Sequence, residues 1–261
     1  MRLKVLITGG TGAVGSQLCD FLTKQDIEVS ILSRRKRDNS KYKTYLWDHE
    51  AFLIDNNAFT DCDYIIHLAG AGIADKRWTE SRKKEILDSR VKSTNFLYKV
   101  LSKLDHNVKG IISASAVGYY GQTTTSKIFK EDDQPGNDFV AHVCKAWEES
   151  VNQFKNLGLR TVNLRIGIVL MKEGGALEKM AQLFYWNLGS ALGNGKQIIP
   201  WIHIMDLNQI ILQAIETPEM EGAYNCCAPD PASNAEFSNE IASALGKSIW
   251  LPKVPAVALR L

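Results

Sequence analysis

The chain has little of what marks several large protein classes. Its 261 residues include five cysteines, Cys19, Cys62, Cys144, Cys226 and Cys227, and none stands in a Cys-x-x-Cys spacing. Neither a zinc site nor a disulfide framework is indicated, and the adjacent Cys226 and Cys227 read as packing thiols. That usage fits a reducing, cytoplasmic setting. The five histidines show no ligand spacing either, so no metal is expected. Net charge is only +2, too small to imply a nucleic-acid or membrane partner. No apolar run approaches the ~20 residues that span a bilayer. The first strand starts at Leu3, which leaves no room for a signal peptide. Internal repeats and low-complexity tracts are also missing. What is present is an ordinary balance, 45% hydrophobic and 23% charged, expected of one large or two small domains with a sizeable core.

The most informative stretch is TGGTGAVG, residues 8–15. An apolar run, Leu3 to Ile7, precedes it, and the periodic positions Val14, Leu18, Phe21 and Leu22 follow. That order is strand, tight turn, helix. Gly9, Gly12 and Gly15 stand three apart. The first lets the chain turn, the second lets a phosphate approach the backbone, and the third lets the helix pack close to its strand. Amides around Thr11, Gly12, Ala13 and Val14 are expected to face a pyrophosphate, with the positive end of the helix dipole behind it. The second strand, Glu28 to Ser33, is followed by Arg34, Arg35, Lys36 and Arg37. A site for NAD usually carries a carboxylate there, which would repel a 2′-phosphate. A hydroxyl and a guanidinium bind one instead. The expected cofactor is therefore NADP, held by Ser33 and Arg34, with Arg35 a weaker candidate and the rest of the run solvated.

Alternating strand and helix patterns continue. Thr44 to Trp47 reads as a short strand, with Asp48 near an adenine; Tyr64 to Leu68 is a buried strand ending in small residues from Ala69 to Gly72. His67 within it is expected to be packed. Lys83 to Leu104 is a long helix, Gly110 to Ala114 a strand, Phe139 to Phe154 a helix, and Arg160 to Leu170 one strand. This predicts an α/β fold, a doubly wound parallel Rossmann sheet. Residues 1–170 form the dinucleotide-binding part, completed by about 203–228. Residues 171–202 and 229–261 form a smaller substrate-side lid region, with helices at Asp206 to Ile215 and Asn234 to Leu245. Ser115, Tyr119 and Tyr120 follow the strand at 110–114, where a substrate carbonyl is expected to be polarised and Tyr119 or Tyr120 is the candidate proton source. Trp201 is a candidate pocket wall, and His203 reads as a structural contact.

Together the segments ITGGTGAVG, ILSRR, IIHLAGAGI, RWTESRKKEILDSRVKST, ISASAVGYYG, LRIGIVL, GGALEKM and LGNGKQIIPWIHIMDL resemble the extended short-chain dehydrogenase/reductase superfamily. Within it they resemble the atypical group labelled "epimerase family protein", NAD-dependent epimerase/dehydratase-like. The resemblance implies cofactor contacts from Gly9, Thr11, Gly12, Ala13, Val14 and Gly15, and from Ser33 and Arg34. It further implies contacts from Leu68, Ala69, Gly70, Glu85, Arg90 and Val169. Members commonly run some tens of residues further, so a terminal helix beyond Leu261 is expected. The superfamily's catalytic Tyr stands four residues before a Lys. Here Lys145 falls in a suitable place for ribose binding, but Ala141 stands four residues before it; Ser115 matches the family's serine. Two functions follow. One is an NADP-dependent oxidoreductase or epimerase-like enzyme acting on a small polar metabolite, with Ser115, Tyr119 and Lys145 as catalytic candidates. The other is a catalytically silent NADP(H)-binding sensor or interaction protein. A sugar-nucleotide epimerase proper needs a diphosphate pocket, for which only Arg165 and Lys196 offer charge.

Overall fold

The computed structural model describes residues 2–35, 40–125 and 127–254. Lys36 and Arg37 of the basic run, and the last seven residues of the expected lid region, lie outside the described residues.

The first half alternates strands and helices: β1 (Lys4–Thr8), α1 (Ala13–Lys24), β2 (Glu28–Ser33), β3 (Lys43–Asp48), β4 (Leu53–Ile54), β5 (Tyr64–His67), α2 (Glu80–Leu101) and β6 (Gly110–Ala116). A 3-10 turn at Val117–Tyr120 follows, then α3 (Phe139–Asn152), β7 (Arg160–Ile166), β8 (Ile168–Leu170) and α4 (Gly175–Tyr185). The chain then forms β9 (Ile198–Ile199), β10 (Trp201–His203), α5 (Ile204–Glu216), β11 (Gly222–Cys226), β12 (Ala232–Ser233) and α6 (Asn234–Ala244). Eight strands make one sheet in the order β11-β7-β6-β5-β1-β2-β3-β4. All its pairings are parallel except β3 with β4. This is the doubly wound Rossmann-like sheet.

Side chains of β1 show how both faces are covered. Val5 and Ile7 join Leu18 and Leu22 of α1 and Leu207 and Ile211 of α5. Leu6 points the other way, toward Phe96, Leu97 and Leu101 of α2 and Trp147 and Val151 of α3. Alternate residues of one strand thus serve opposite layers. A third apolar cluster joins Phe184 and Leu177 of α4 to Phe237 and Ile241 of α6. It is served by two small two-stranded sheets, β10-β8 and β12-β9.

The single strand expected over Arg160 to Leu170 is two strands. β7 pairs with β6 in the main sheet, whereas β8 pairs with β10. The break is at Gly167, where a Cβ would stand 2.7 Å from the Pro200 carbonyl oxygen. Only glycine lets these backbones pass so closely.

His67 is packed, as expected, and fully buried. The Thr8 hydroxyl accepts from the backbone amides of Leu68 and Ala69 at 3.2 Å each, so its own proton goes to His67 Nδ1, 2.8 Å away. His67 then carries its proton on Nε2 and donates to Thr94 Oγ1 at 3.0 Å, which donates to the Arg90 carbonyl at 2.7 Å. Burial, and then repulsion from Arg90, pushes the His67 pKa down to about 3. An unfolded chain takes up this proton near pH 6.5, whereas the folded chain does not, so stability falls with falling pH between about 6.5 and 3. From pH 6.5 to pH 5 this one group is expected to remove about 2 kcal/mol. Denaturant titrations of the unaltered protein and His67→Gln check this. An acid limb of equal slope in both would remove His67 as its origin.

Candidate functional site

The strand order reverses direction at β1. From β1 the chain winds one way through β2 and β3, and the other way through β5, β6 and β7. In such sheets the crevice outside the carboxyl ends of the two strands flanking the reversal is where a ligand binds. Here those ends are Thr8–Gly9 and His67–Gly70.

The three glycines of the first loop do different work. Gly9 has φ +72°, and a Cβ there would meet the Leu68 carbonyl at 2.9 Å. A Cβ on Gly15 would run into the Gly9 carbonyl oxygen and lie 2.8 Å from the Gly10 Cα. Both are required by the fold. Gly12 is not: its φ of −79° and ψ of 172° suit any residue, and a Cβ would meet only the Gly9 oxygen, at 3.3 Å. The space beyond it is open, as an approaching phosphate needs. One expectation is corrected here. The Gly12 N–H does not face a ligand, because it donates to the Gly9 carbonyl at 2.9 Å and closes the turn. The N–H groups of Thr11, Ala13, Val14 and Gly15 have no acceptor among the described residues, and no side chain caps α1. They are the donors that a helix N-terminus leaves available to an anion.

Ser33 ends β2, and its hydroxyl accepts from the Arg35 amide at 3.3 Å, turning the chain there. Arg34 and Arg35 are exposed, without an ion pair among the described residues. Asp48, at the end of β3, accepts from the amides of Glu50 and Ala51 and forms a turn.

Leu68, Ala69 and Gly70 line the other side of the crevice. Behind Gly70 lies Arg90, whose guanidinium carbon would be 3.0 Å from a Cβ there. Arg90 is 8% exposed. One nitrogen, Nη1, donates to the carbonyls of Ala71 and Ile86, and the plane lies 5.1 Å from the Trp147 ring. No carboxylate pairs with it among the described residues. Burial lowers its pKa for that reason. A buried cation without a counter-ion is costly, and a bound anion relieves the cost. Glu85 lies on the first turns of α2. It is exposed, and its carboxylate is held by Arg82 at 2.7 Å, which pulls its pKa down. Val169 lies in β8, opposite Ile202 of β10.

Past the carboxyl end of β6 is a buried polar network. Arg165 of β7 grips Glu148 of α3 with two parallel bonds of 2.9 Å. Its other terminal nitrogen donates to the Tyr120 hydroxyl and the Glu131 carbonyl, each at 2.9 Å. Tyr120 in turn donates to Asn225 at 2.7 Å. Burial opposes the charge on Arg165, but the bonds to Glu148 and Tyr120 outweigh it and raise the pKa. The Tyr120 phenol is pushed up by burial. Both residues are fully engaged within the fold, so Arg165 offers no free charge to a sugar diphosphate. Tyr119 is half-buried, its ring 3.5 Å below the Arg165 guanidinium, and its hydroxyl has no partner among the described residues.

Two catalytic expectations are corrected. Ser115 donates to Glu148 Oε1 at 2.6 Å and is 4% exposed. A hydroxyl has one proton, so this arrangement leaves none for a substrate carbonyl; Ser115 fixes Glu148 instead. Lys145 lies on the exposed arc of α3, 3.9 Å from Glu149, and is not brought to Ser115 or Tyr119. The pair four apart that α3 presents to the end of β6 is Val140 and Cys144, against which any side chain at Gly118 would press. Burial pushes the Cys144 thiol up to about 11, so neither residue is a ready acid. His203 caps α5, its ring accepting from the Met205 amide at 3.3 Å. The signal for the network was present in two charges: Glu148 stands among the buried residues of α3, and Arg165 stands between Leu164 and Ile166 in β7.

A family model for the NAD dependent epimerase/dehydratase family matches residues 5–227. The epimerase family protein Mb2239 of Mycobacterium bovis is 36% identical over 256 residues, covering 98% of this chain and 83% of that protein. The crystal structure of the human epimerase family protein SDR39U1 with NADPH superposes with a TM-score of 0.88 at 32% identity, over 99% of this chain and 85% of that one. A nucleoside-diphosphate sugar epimerase from Corynebacterium glutamicum matches 100% of this chain and 54% of its own, at 31% identity and a TM-score of 0.79. Together with the crevice at β1 and β5, these matches establish that the chain belongs to the NAD-dependent epimerase/dehydratase family.

Proposed function

We propose that the chain binds NADP(H) across the β1/β5 crevice and acts as an oxidoreductase or epimerase-like enzyme on a small polar substrate. The observation that carries this is Gly12, a glycine its backbone angles do not require, beside free amides at the start of α1. The 2′-phosphate falls to Ser33 and Arg34. Arg90 supplies the uncompensated positive charge beneath Gly70, and Leu68, Ala69 and Val169 supply apolar lining. The human relative's structure with NADPH supports the choice of NADP. Bound cofactor supplies hydride transfer. Tyr119 is the proton source this reading assigns, because its hydroxyl alone among the nearby candidates is uncommitted. Glu148, Arg165 and Ser115 hold the 3-10 turn that carries it, and α4 and α6 form the substrate side.

Arg34→Ala is expected to weaken NADPH about 10- to 100-fold, the loss of charge-assisted hydrogen bonds to phosphate at about 1.5–3 kcal/mol. NADH affinity stays within about twofold. Fluorescence titration of both nucleotides checks this, and equal losses for the two would remove the 2′-phosphate role.

A second reading is a catalytically silent NADP(H)-binding protein. Val140 and Cys144 favour it, because they stand where a proton-donating pair is wanted. Binding of NADPH without turnover over a panel of carbonyl compounds and sugar nucleotides selects this second reading; turnover lost in Tyr119→Phe selects the first.

A further inference from the structure

The first turns of α4 run across the mouth of the β1/β5 crevice. At one end, a Cβ on Gly174 would sit 3.0 Å from the Cβ of Ala13, the first residue of α1. At the other end, Lys179 Nζ lies 2.9 Å from Asp75 Oδ1. Asp75 stands five residues past Gly70, on the loop that leaves β5. Six residues thus join the lip formed by the glycine turn to the lip formed by the β5 loop, although Asp75 and Lys179 are 104 positions apart in the chain.

Each end has a reason to hold and a reason to move. Gly174 and Gly175 have φ of +81° and +76°, a pair of left-handed residues where the chain turns into α4. The Gly174 amide is held by Glu178 Oε2 at 2.7 Å, which stiffens that turn while the helix is seated. The outer face of α4 is tied to α6 through Leu177, Met180 and Phe237, so the segment moves with that layer. The Asp75–Lys179 pair is exposed on both sides and is therefore weak and easily broken. Arg82, buried and bonded to the Gly72 carbonyl, anchors the loop that Asp75 projects from.

We infer that residues 174–179 are a strap over the dinucleotide crevice, seated on Ala13 and latched by Asp75 to Lys179, and that cofactor exchange requires the latch to open. The inference rests on the nucleotide reading above. It assigns to Asp75, Gly174 and Lys179 control of the rate of cofactor release, without direct contact to the cofactor.

The test is stopped-flow release of NADPH from the full chain, following its fluorescence on mixing with excess NADP⁺. Lys179→Ala and Asp75→Ala are each expected to speed release two- to fivefold, and the double variant no more than either alone, because both break one contact. Exchanging the charges, Asp75→Lys with Lys179→Asp, restores slow release. Gly174→Val, which forces a side chain against Ala13, speeds release at least about tenfold if α4 is seated as described. Release unchanged in the single variants, or additive effects in the double, overturns the strap while leaving the nucleotide site intact. An unaltered protein that binds neither NADPH nor NADH overturns the nucleotide reading and the strap together.

Discussion

Gly12→Val is expected to abolish measurable binding of NADPH and NADH alike while leaving the fold in place. The Gly12 backbone lies in a region that side-chain-bearing residues adopt, and a Cβ there meets one protein atom, the Gly9 oxygen at 3.3 Å. The cost to folding is therefore small, within about 1 kcal/mol, as for a surface substitution. The isopropyl group fills the volume in front of the Ala13 and Val14 amides. Losing two charge-assisted hydrogen bonds to phosphate, at about 1.5–3 kcal/mol each, weakens both nucleotides at least about a hundredfold. Calorimetric titration beside a thermal melt separates the two effects. Retained affinity would place the phosphates elsewhere. Gly15 provides the contrast: any side chain there strikes the Gly9 carbonyl, so Gly15→Val is expected to damage the fold itself.

Glu148→Ala should be the most destabilising change at the far end of the site. It leaves the Arg165 guanidinium buried, with its carboxylate partner removed and the Ser115 hydroxyl without its acceptor. Breaking one member of a buried, bidentate pair costs about 3–5 kcal/mol, a large part of the total for a domain. Urea unfolding measures it, and Arg165→Met in the same background recovers part of the loss by removing the orphaned charge. A loss below about 1 kcal/mol would mean that water reaches the pair. The Tyr119 ring rests on this guanidinium, so any turnover is expected to fall with stability.

The fold was legible because its signals are local and repeated. Three glycines between an apolar strand and a periodic helix, followed by alternating units, leave few topologies. The start of α6 carries a local signal of the same kind, because Ser233 and Glu236 form the reciprocal capping box. The glycine turn that the proposed phosphate site is built on was legible for the same reason, since its backbone amides belong to adjacent residues. The catalytic end was not. Ser115, Glu148, Arg165 and Asn225 come from four separate elements, and only the sheet order brings them together. Ser115 was singled out by its place at the end of a strand, but its proton is committed to a residue 33 positions away. Lys145 was singled out by family spacing, and the helix turns it outward; one residue of phase decides which pair faces the crevice. The break at Gly167 was hidden because RTVNLRI and IVL read as one extended run, and only the crossing Pro200 carbonyl shows why they separate.

The rims of the large sheet bear on how this protein behaves at high concentration. On one side the two-residue antiparallel β4 ends the ladder. On the other, the outward amide of Asn225 in β11 is taken by the Glu131 carboxylate at 2.9 Å, and its side chain reaches the Phe129 carbonyl. Unsatisfied rims of this kind are where chains zip together into aggregates. The shortness of β4 and the capped Asn225 amide both work against edge-to-edge polymerisation.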